Sequence, residues 1–278
     1  MPVELADRKR TTASLKSWLD GLATYEKVFE PWRGRAKKII AKYRDEKRDD
    51  ELSSATRFNI LWSNTQTLKN ATFARLPKPD VSRRFRDNDP VGRVASLILE
   101  RALDYEVQHY SDYRATLGAC VLDRFLPGRA TAWVRYEPKF KAARIRQPKG
   151  GLQPTEDAEQ DEVLDYECVP CDYVDWRDFG HSVARTWEEV PRVWRRIYMT
   201  RDALEERFGG DKAKLVPMDA SPYTDANDQK IKEDEDRAAI YEGWDKDAKR
   251  AVWFSKGVKD FLDERDDPLG LEEFFPCP

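Results

Sequence analysis

Cys168 and Cys171 are the first residues in this sequence whose spacing suits a reaction. A C-x-x-C pair acts as a redox couple when a helix N-terminus lowers one thiol pKa. It forms half of a zinc site when two further ligands converge on it. Neither context surrounds this pair. The flanking VLDYECVPCDYVDW reads as extended chain, and Cys120 and Cys277 do not make a second close pair. The residues are therefore read as two small, half-buried side chains around a proline kink. Asp247 and Lys249, with Asp80 far upstream, form the second candidate set. Carboxylates on a divalent cation beside a lysine would describe a metal-dependent, DNA-processing enzyme. Asp245-Lys246-Asp247 instead reads as a hairpin turn, which puts the set in solvent rather than on a core strand.

Three basic clusters could meet phosphates: Arg33 to Lys38, Arg83 to Arg86, and Arg192 to Arg196. Each has acids close in sequence: Glu30, then Asp87 and Asp89, then Glu188 and Glu189. Salt-bridged surfaces or subunit interfaces are the expectation for all three. Other chemistry lacks its raw material. There is no G-x-x-x-x-G-K-[ST] phosphate cradle, no G-x-G-x-x-G after a strand and no G-x-S-x-G elbow. Histidines number two, His109 and His181. The sequence thus leads us to expect no catalytic, cofactor-binding or metal-ligating residue.

The bulk composition agrees with that expectation. Charged residues make up 36% of the 278, so most charge must lie on solvated or partner-facing surface. The 40% hydrophobic share still builds a core. A net charge of -3 lacks the basic excess of a protein that grips DNA over a broad face. The N-terminus shows no apolar signal region, and no apolar run approaches the ~18 residues of a membrane span. The four cysteines do not make a disulfide framework for a chain of this length, so a reducing cytoplasm is expected. Nine tryptophans beside many arginines suit a protein that buries surface against neighbours.

The elements that must position these residues read as helices first and strands later. A helix over Ser14 to Lys47 carries Leu15, Trp18, Leu19, Leu22, Tyr25 and Phe29 on one face and is expected to break at Pro31. A second helix runs from Thr56 to Ala74, followed by a short strand over Asp80 to Phe85. Asp89-Pro90 starts a third helix, with Val91, Val94, Ala95, Ile98, Ala102 and Tyr105 on one stripe. A fourth spans Tyr110 to Phe125 and stops at Leu126-Pro127-Gly128. Strands are expected over Arg129 to Tyr136, along Val163 to Trp176 and over Val193 to Met199. A short helix follows over Thr200 to Phe208, then a hairpin of Ala238 to Trp244 with Arg250 to Lys256. Phe261 and Leu262 add a last short strand. Residues 1–128 form a mainly helical segment and 129–278 a β-rich one, with polar loops near 140–161 and 210–236. The fold class is α+β, with N-terminal helices followed by a mixed or antiparallel β region and one short helix.

A series of short motifs carries a family resemblance. It begins with Asn59-Ile60-Leu61-Trp62-Ser63-Asn64 and Thr67-Leu68-Lys69, then Pro77-Lys78-Pro79, Arg83-Arg84-Phe85 and Asp89-Pro90-Val91-Gly92-Arg93. It continues with Leu126-Pro127-Gly128-Arg129, Ala132-Trp133-Val134-Arg135-Tyr136 and Val169-Pro170-Cys171-Asp172-Tyr173. Ala184-Arg185-Thr186-Trp187-Glu188-Glu189-Val190, Met199-Thr200-Arg201 and Arg207-Phe208-Gly209 complete it. In order and spacing the series resembles the N-terminal, wing-forming part of the portal proteins of short-tailed bacteriophages, over about Ser54 to Pro278.

The resemblance implies a structural, non-enzymatic subunit of a homo-oligomeric ring, usually dodecameric, at one capsid vertex. That ring is the head-tail connector of the virion, through which DNA is packaged and ejected. It implies as partners sibling subunits, the major capsid or scaffolding protein, the terminase large subunit and a tail adaptor. Double-stranded DNA would pass without sequence-specific contact, and no membrane or cofactor is implied. The stem, clip and crown of the family are expected to be absent from this chain. A different virion or scaffold-binding protein on the same α+β core is the alternative structural reading.

Overall fold

The computed structural model describes residues 14–45, 58–83, 89–109, 112–135, 137–142, 162–223 and 236–266. It has the expected α+β order, with helices at the N-terminus and antiparallel sheets after them. The described chain divides into two compact units that exchange chain more than once. The first holds Met1–Thr65, Asp123–Arg129 and Val174–Pro278, and the second holds Gln66–Leu122 and Ala130–Tyr173.

The first unit is a five-stranded sheet covered by helices. Its strands are β5 (Phe179–His181), β6 (Arg192–Met199), β7 (Ala238–Asp245), β8 (Arg250–Phe254) and β9 (Asp263–Asp266), antiparallel and in that order. Helix α1 (Leu15–Tyr43) lies on one face. Ser14 caps its start, and Leu15, Trp18, Leu22 and Tyr25 bury themselves against Trp194, Tyr241, Val252 and Phe254. This is the stripe that the 3.6-residue period picks out, with Leu19 and Phe29 partly buried beside it. Pro31 does not break α1 as expected; the helix runs on to Tyr43. A proline removes one backbone donor, and tertiary packing on both sides of it outweighs that local cost.

The alternate residues of the same strands point to the opposite face. There Ala238 and Ile240 meet Leu204 of α5 (Arg201–Phe208) and Ala213 of α6 (Gly210–Lys214). Thr200 caps α5, and Gly209 follows it at φ 84, a left-handed value that suits glycine. Helix α6 lies where a polar loop was expected to begin. Residues 224–235 of that loop fall outside the described residues. The last strand is Asp263–Asp266, just beyond the Phe261-Leu262 pair expected to form it. Leu262 is instead a buried anchor, and its amide donates to the Trp253 carbonyl at 2.8 Å.

The second unit holds α3 (Pro90–His109) and most of α4 (Tyr113–Phe125). It also holds β1 (Thr131–Val134), β2 (Glu137–Ala142), β3 (Glu162–Cys168) and β4 (Cys171–Val174). Strand β1 pairs with β4, and β2 with β3 in antiparallel register around a bulge at Lys139/Phe140. Helix α2 (Ile60–Thr72) and α4 each cross the division between units. The stretch from Asp80 to Arg83 is irregular, not the expected strand, and residues 84–88 lie outside the described residues. Strands require a pairing partner, and among the described residues no strand pairs with this stretch. Strand β2 reaches to Ala142 inside the expected 140–161 loop, whose remainder is likewise not described.

Gly243 shows how tightly α1 meets the sheet. A Cβ at this position would sit 2.6 Å from the Trp18 ring. Gly243→Ala is expected to cost the first unit about 1–3 kcal/mol through overpacking. Urea denaturation followed by tryptophan fluorescence measures this, and an unchanged midpoint would show that Trp18 can move aside.

Candidate docking face

The residues chosen for chemistry are not assembled for it. Cys168 ends β3 and Cys171 begins β4, with Val169-Pro170 turning the chain between them. The Cys168 thiol donates to the Glu137 carbonyl at 3.7 Å, and Thr116 Oγ1 donates to the Cys171 carbonyl at 2.9 Å. Burial pushes the Cys171 thiol up, and Asp172 adds to the effect, so the unreactive thiol form is favoured. Cys120 lies on α4 outside any disulfide, and Cys277 lies outside the described residues. Among the described residues, no group of three or more His, Cys, Asp or Glu could hold a metal ion.

Asp247 is exposed on the β7–β8 turn. The carboxylate that organises this turn is Asp245, whose Oδ1 accepts from the amides of Asp247 at 3.1 Å and Ala248 at 3.0 Å. Lys249 closes it at φ 52. Asp80 belongs to the second unit and Asp247 to the first, so this set is not built within one compact body.

Residues of the second and third basic clusters are ion-paired, though not always by the acids nearest in sequence. Arg192 pairs with Asp245 at 3.0 Å and Arg195 with Glu242 at 2.7 Å. These residues stand opposite one another in the β6–β7 register. Arg196 grips Asp178 at 2.5 Å. Glu188 and Glu189, the expected partners, lie on the turn before β6. Arg83 pairs with Asp89 at 3.2 Å, which is one of its two expected acids. Arg33 donates to the Arg177 carbonyl. The Asp178 carboxyl is pushed up by burial against the pull of Arg196, and the Tyr198 phenol beside it is pushed up to about 12 by burial.

One arginine has a role that no spacing rule announces. Gly128, at φ 85, ends the turn after α4, and its amide donates to the Asp123 carbonyl at 3.0 Å. Arg129 then enters a cage of rings. Its guanidinium lies 4.3 Å from the Trp32 ring and 5.5–5.7 Å from those of Phe179, Tyr25 and Phe29. It also donates to the Phe179 carbonyl at 3.2 Å and to the Tyr25 hydroxyl. Trp32 Nε1 secures the same turn through the Pro127 carbonyl at 2.8 Å. His181 borders the cage, with the rings of Tyr25, Phe29, Phe179 and Trp187 within 5.3–6.2 Å. Burial lowers its pKa, and the nearby Arg129 charge lowers it further.

Helix α3 leaves its apolar stripe exposed. Asp89 starts it, its Oδ1 accepting from the Val91 amide at 3.0 Å, and Pro90 occupies the first turn. Its apolar stripe faces solvent. Val91 is 73% exposed, Ile98 64% and Tyr105 61%, and no residue of the helix is buried. The less exposed side is the mostly polar one of Gly92, Ser96, Glu100 and Asp104. Arg83 packs closely at Gly92, its side chain lying 2.5 Å from where a Cβ on that glycine would be. Periodicity picked out the stripe, and the structure leaves it exposed. Exposed apolar surface of this extent marks an interaction site.

No family model matches this sequence, and no curated protein matches it.

Arg129→Ala should lower stability by about 2–4 kcal/mol, through lost cation–π contacts and orphaned carbonyls. Millimolar methylguanidinium should restore part of that loss, as read by thermal unfolding; the absence of rescue would mean the cage collapses without its arginine. His181 sets a pH dependence. Its folded pKa lies below the unfolded value near 6.5, so the unfolded chain takes the proton first as pH falls. The stability it contributes is complete above about pH 6.5 and is lost below it as pH falls toward the folded pKa. Denaturation midpoints between pH 8 and 5 should decline for the wild type and decline less for His181→Phe.

Proposed function

We propose that this chain is a structural, non-enzymatic subunit of a bacteriophage portal ring, contributing its wing-like part at one capsid vertex. The observation that carries the reading is the outward apolar stripe of α3, which lies within the Asp89-Pro90-Val91-Gly92-Arg93 motif of the portal-like series. A helix whose apolar stripe is left exposed suits a part that is completed by neighbours.

Other members of the series have shaping roles that support the same reading. Asp89-Pro90 starts α3, and Arg83 pairs with Asp89 at that start. Leu126-Pro127-Gly128-Arg129 turns the chain and plugs the aromatic cage. Arg135 ties β1 to β4 through Asp172 at 2.7 Å, and its amide donates to the Pro170 carbonyl at 3.1 Å. Thr200 and Gly209 bound α5. In the portal reading, siblings, the capsid or scaffolding protein, terminase and the tail adaptor are the partners, and passing duplex DNA is contacted without sequence preference.

The deciding experiment is native mass spectrometry with negative-stain imaging of the purified protein, alone and with its scaffolding protein. A closed ring of about twelve copies is expected. A monomer under every condition would count against the portal reading. Cleavage of duplex DNA with Mg²⁺ or Mn²⁺, abolished by Asp247→Asn, would replace it with the enzymatic one.

A further inference from the structure

We propose that the outward stripe of α3 is the surface through which two copies of this chain meet, helix against helix and in parallel. The inference names the partner of the α3 face and rests on the assembly reading only in expecting copies to associate; a parallel pair of like faces is a two-fold contact, distinct from the head-to-tail contacts that close a ring.

The stripe has the spacing of a helix-pair seam. Val91, Ala95, Ile98, Ala102 and Tyr105 alternate by four and three residues, which places them at successive d and a positions of a heptad. All five are exposed, so the seam is unoccupied by the chain's own core. Alanine at both a positions leaves room for two backbones to approach at the short end of the ~8–10 Å range of packed helices. At 20 residues, α3 presents nearly three heptads along about 30 Å.

The flanks identify the occupant and its direction. In this register Arg101 is a g residue and Glu106 is an e residue, five positions on. That is the spacing at which charges meet across a parallel pair. Both side chains are exposed, and neither has an ion-pair partner among the described residues. Val94 and Leu99 fill the same two flanks one heptad earlier, 56% and 52% exposed, so apolar would meet apolar there. In an antiparallel pair, like flanks face each other and the arginine side would meet the arginine side. The helix therefore carries both halves of its own complement, and a second copy in parallel is the partner that uses them.

Charge reversal tests this in the intact protein. Sedimentation velocity over a concentration series should show reversible self-association of the wild type. Ile98→Glu, at a solvent-facing position where folding is spared, should weaken it about tenfold or more with unchanged helical circular dichroism. Arg101→Glu and Glu106→Arg should each weaken it several-fold, and the double variant should recover the wild-type constant. The proposal fails if the wild type stays monomeric, if Ile98→Glu associates normally, or if the double variant is as weak as the single ones. The two readings separate cleanly. A closed ring indifferent to all four variants keeps the portal reading and removes the α3 seam. An α3-dependent pair that never closes into a ring does the reverse.

Discussion

The Arg129 guanidinium among aromatic rings is the interaction on which the first unit most depends. It joins pieces of chain that are remote in sequence: the turn after α4, the middle of α1 and the start of the sheet at Phe179. A guanidinium suits this task because it stacks on flat rings while its N–H groups reach carbonyls at the rim. A lysine would supply charge without the plane or the fork of donors. Gly128 makes the arrangement possible, since its left-handed backbone delivers the next side chain into the cage.

From that anchor the layers follow. Helix α1 is held at its centre by Tyr25, whose hydroxyl donates to the Phe179 carbonyl at 2.9 Å, and nearer its start by Trp18 against Phe254. The sheet beneath is stitched by ion pairs between facing residues of β6 and β7. Arg195 and Glu242 are both close to buried, so either one alone would leave an uncompensated charge in a low-dielectric site. The arginine-rich stretch that looked available for phosphates is thereby committed to holding strands in register.

Local structure was largely legible in the sequence, and long-range partnership was not. Asp89-Pro90, Leu126-Pro127-Gly128 and Thr200 with Gly209 each mark a boundary by backbone chemistry confined to a few residues, and each boundary is where it was read. The α1 stripe was legible because its six apolar residues share one period. The α3 stripe was equally regular, yet period alone says which residues share a face and nothing about what covers it. The partners of Arg192 and Arg195 depend on strand register, which places Asp245 and Glu242 opposite them from some fifty positions away. Helix α6 escaped notice because Gly-Asp-Lys-Ala-Lys has no apolar stripe; a single buried alanine, Ala213, seats it. The Arg129 cage gathers rings from α1 and β5 that no local pattern connects.

The borders of the five-stranded sheet carry a consequence of their own. An open sheet ends in strands whose outward amides and carbonyls can recruit any extended chain. Here one border, β5, is three residues long, and the other, β9, reads Asp-Glu-Arg-Asp. Short length on one side and dense charge on the other discourage strand-to-strand fibril growth, a recognised hazard for β-rich molecules at high concentration. Crowding of many copies can therefore proceed without this sheet zipping to its counterpart in the next molecule.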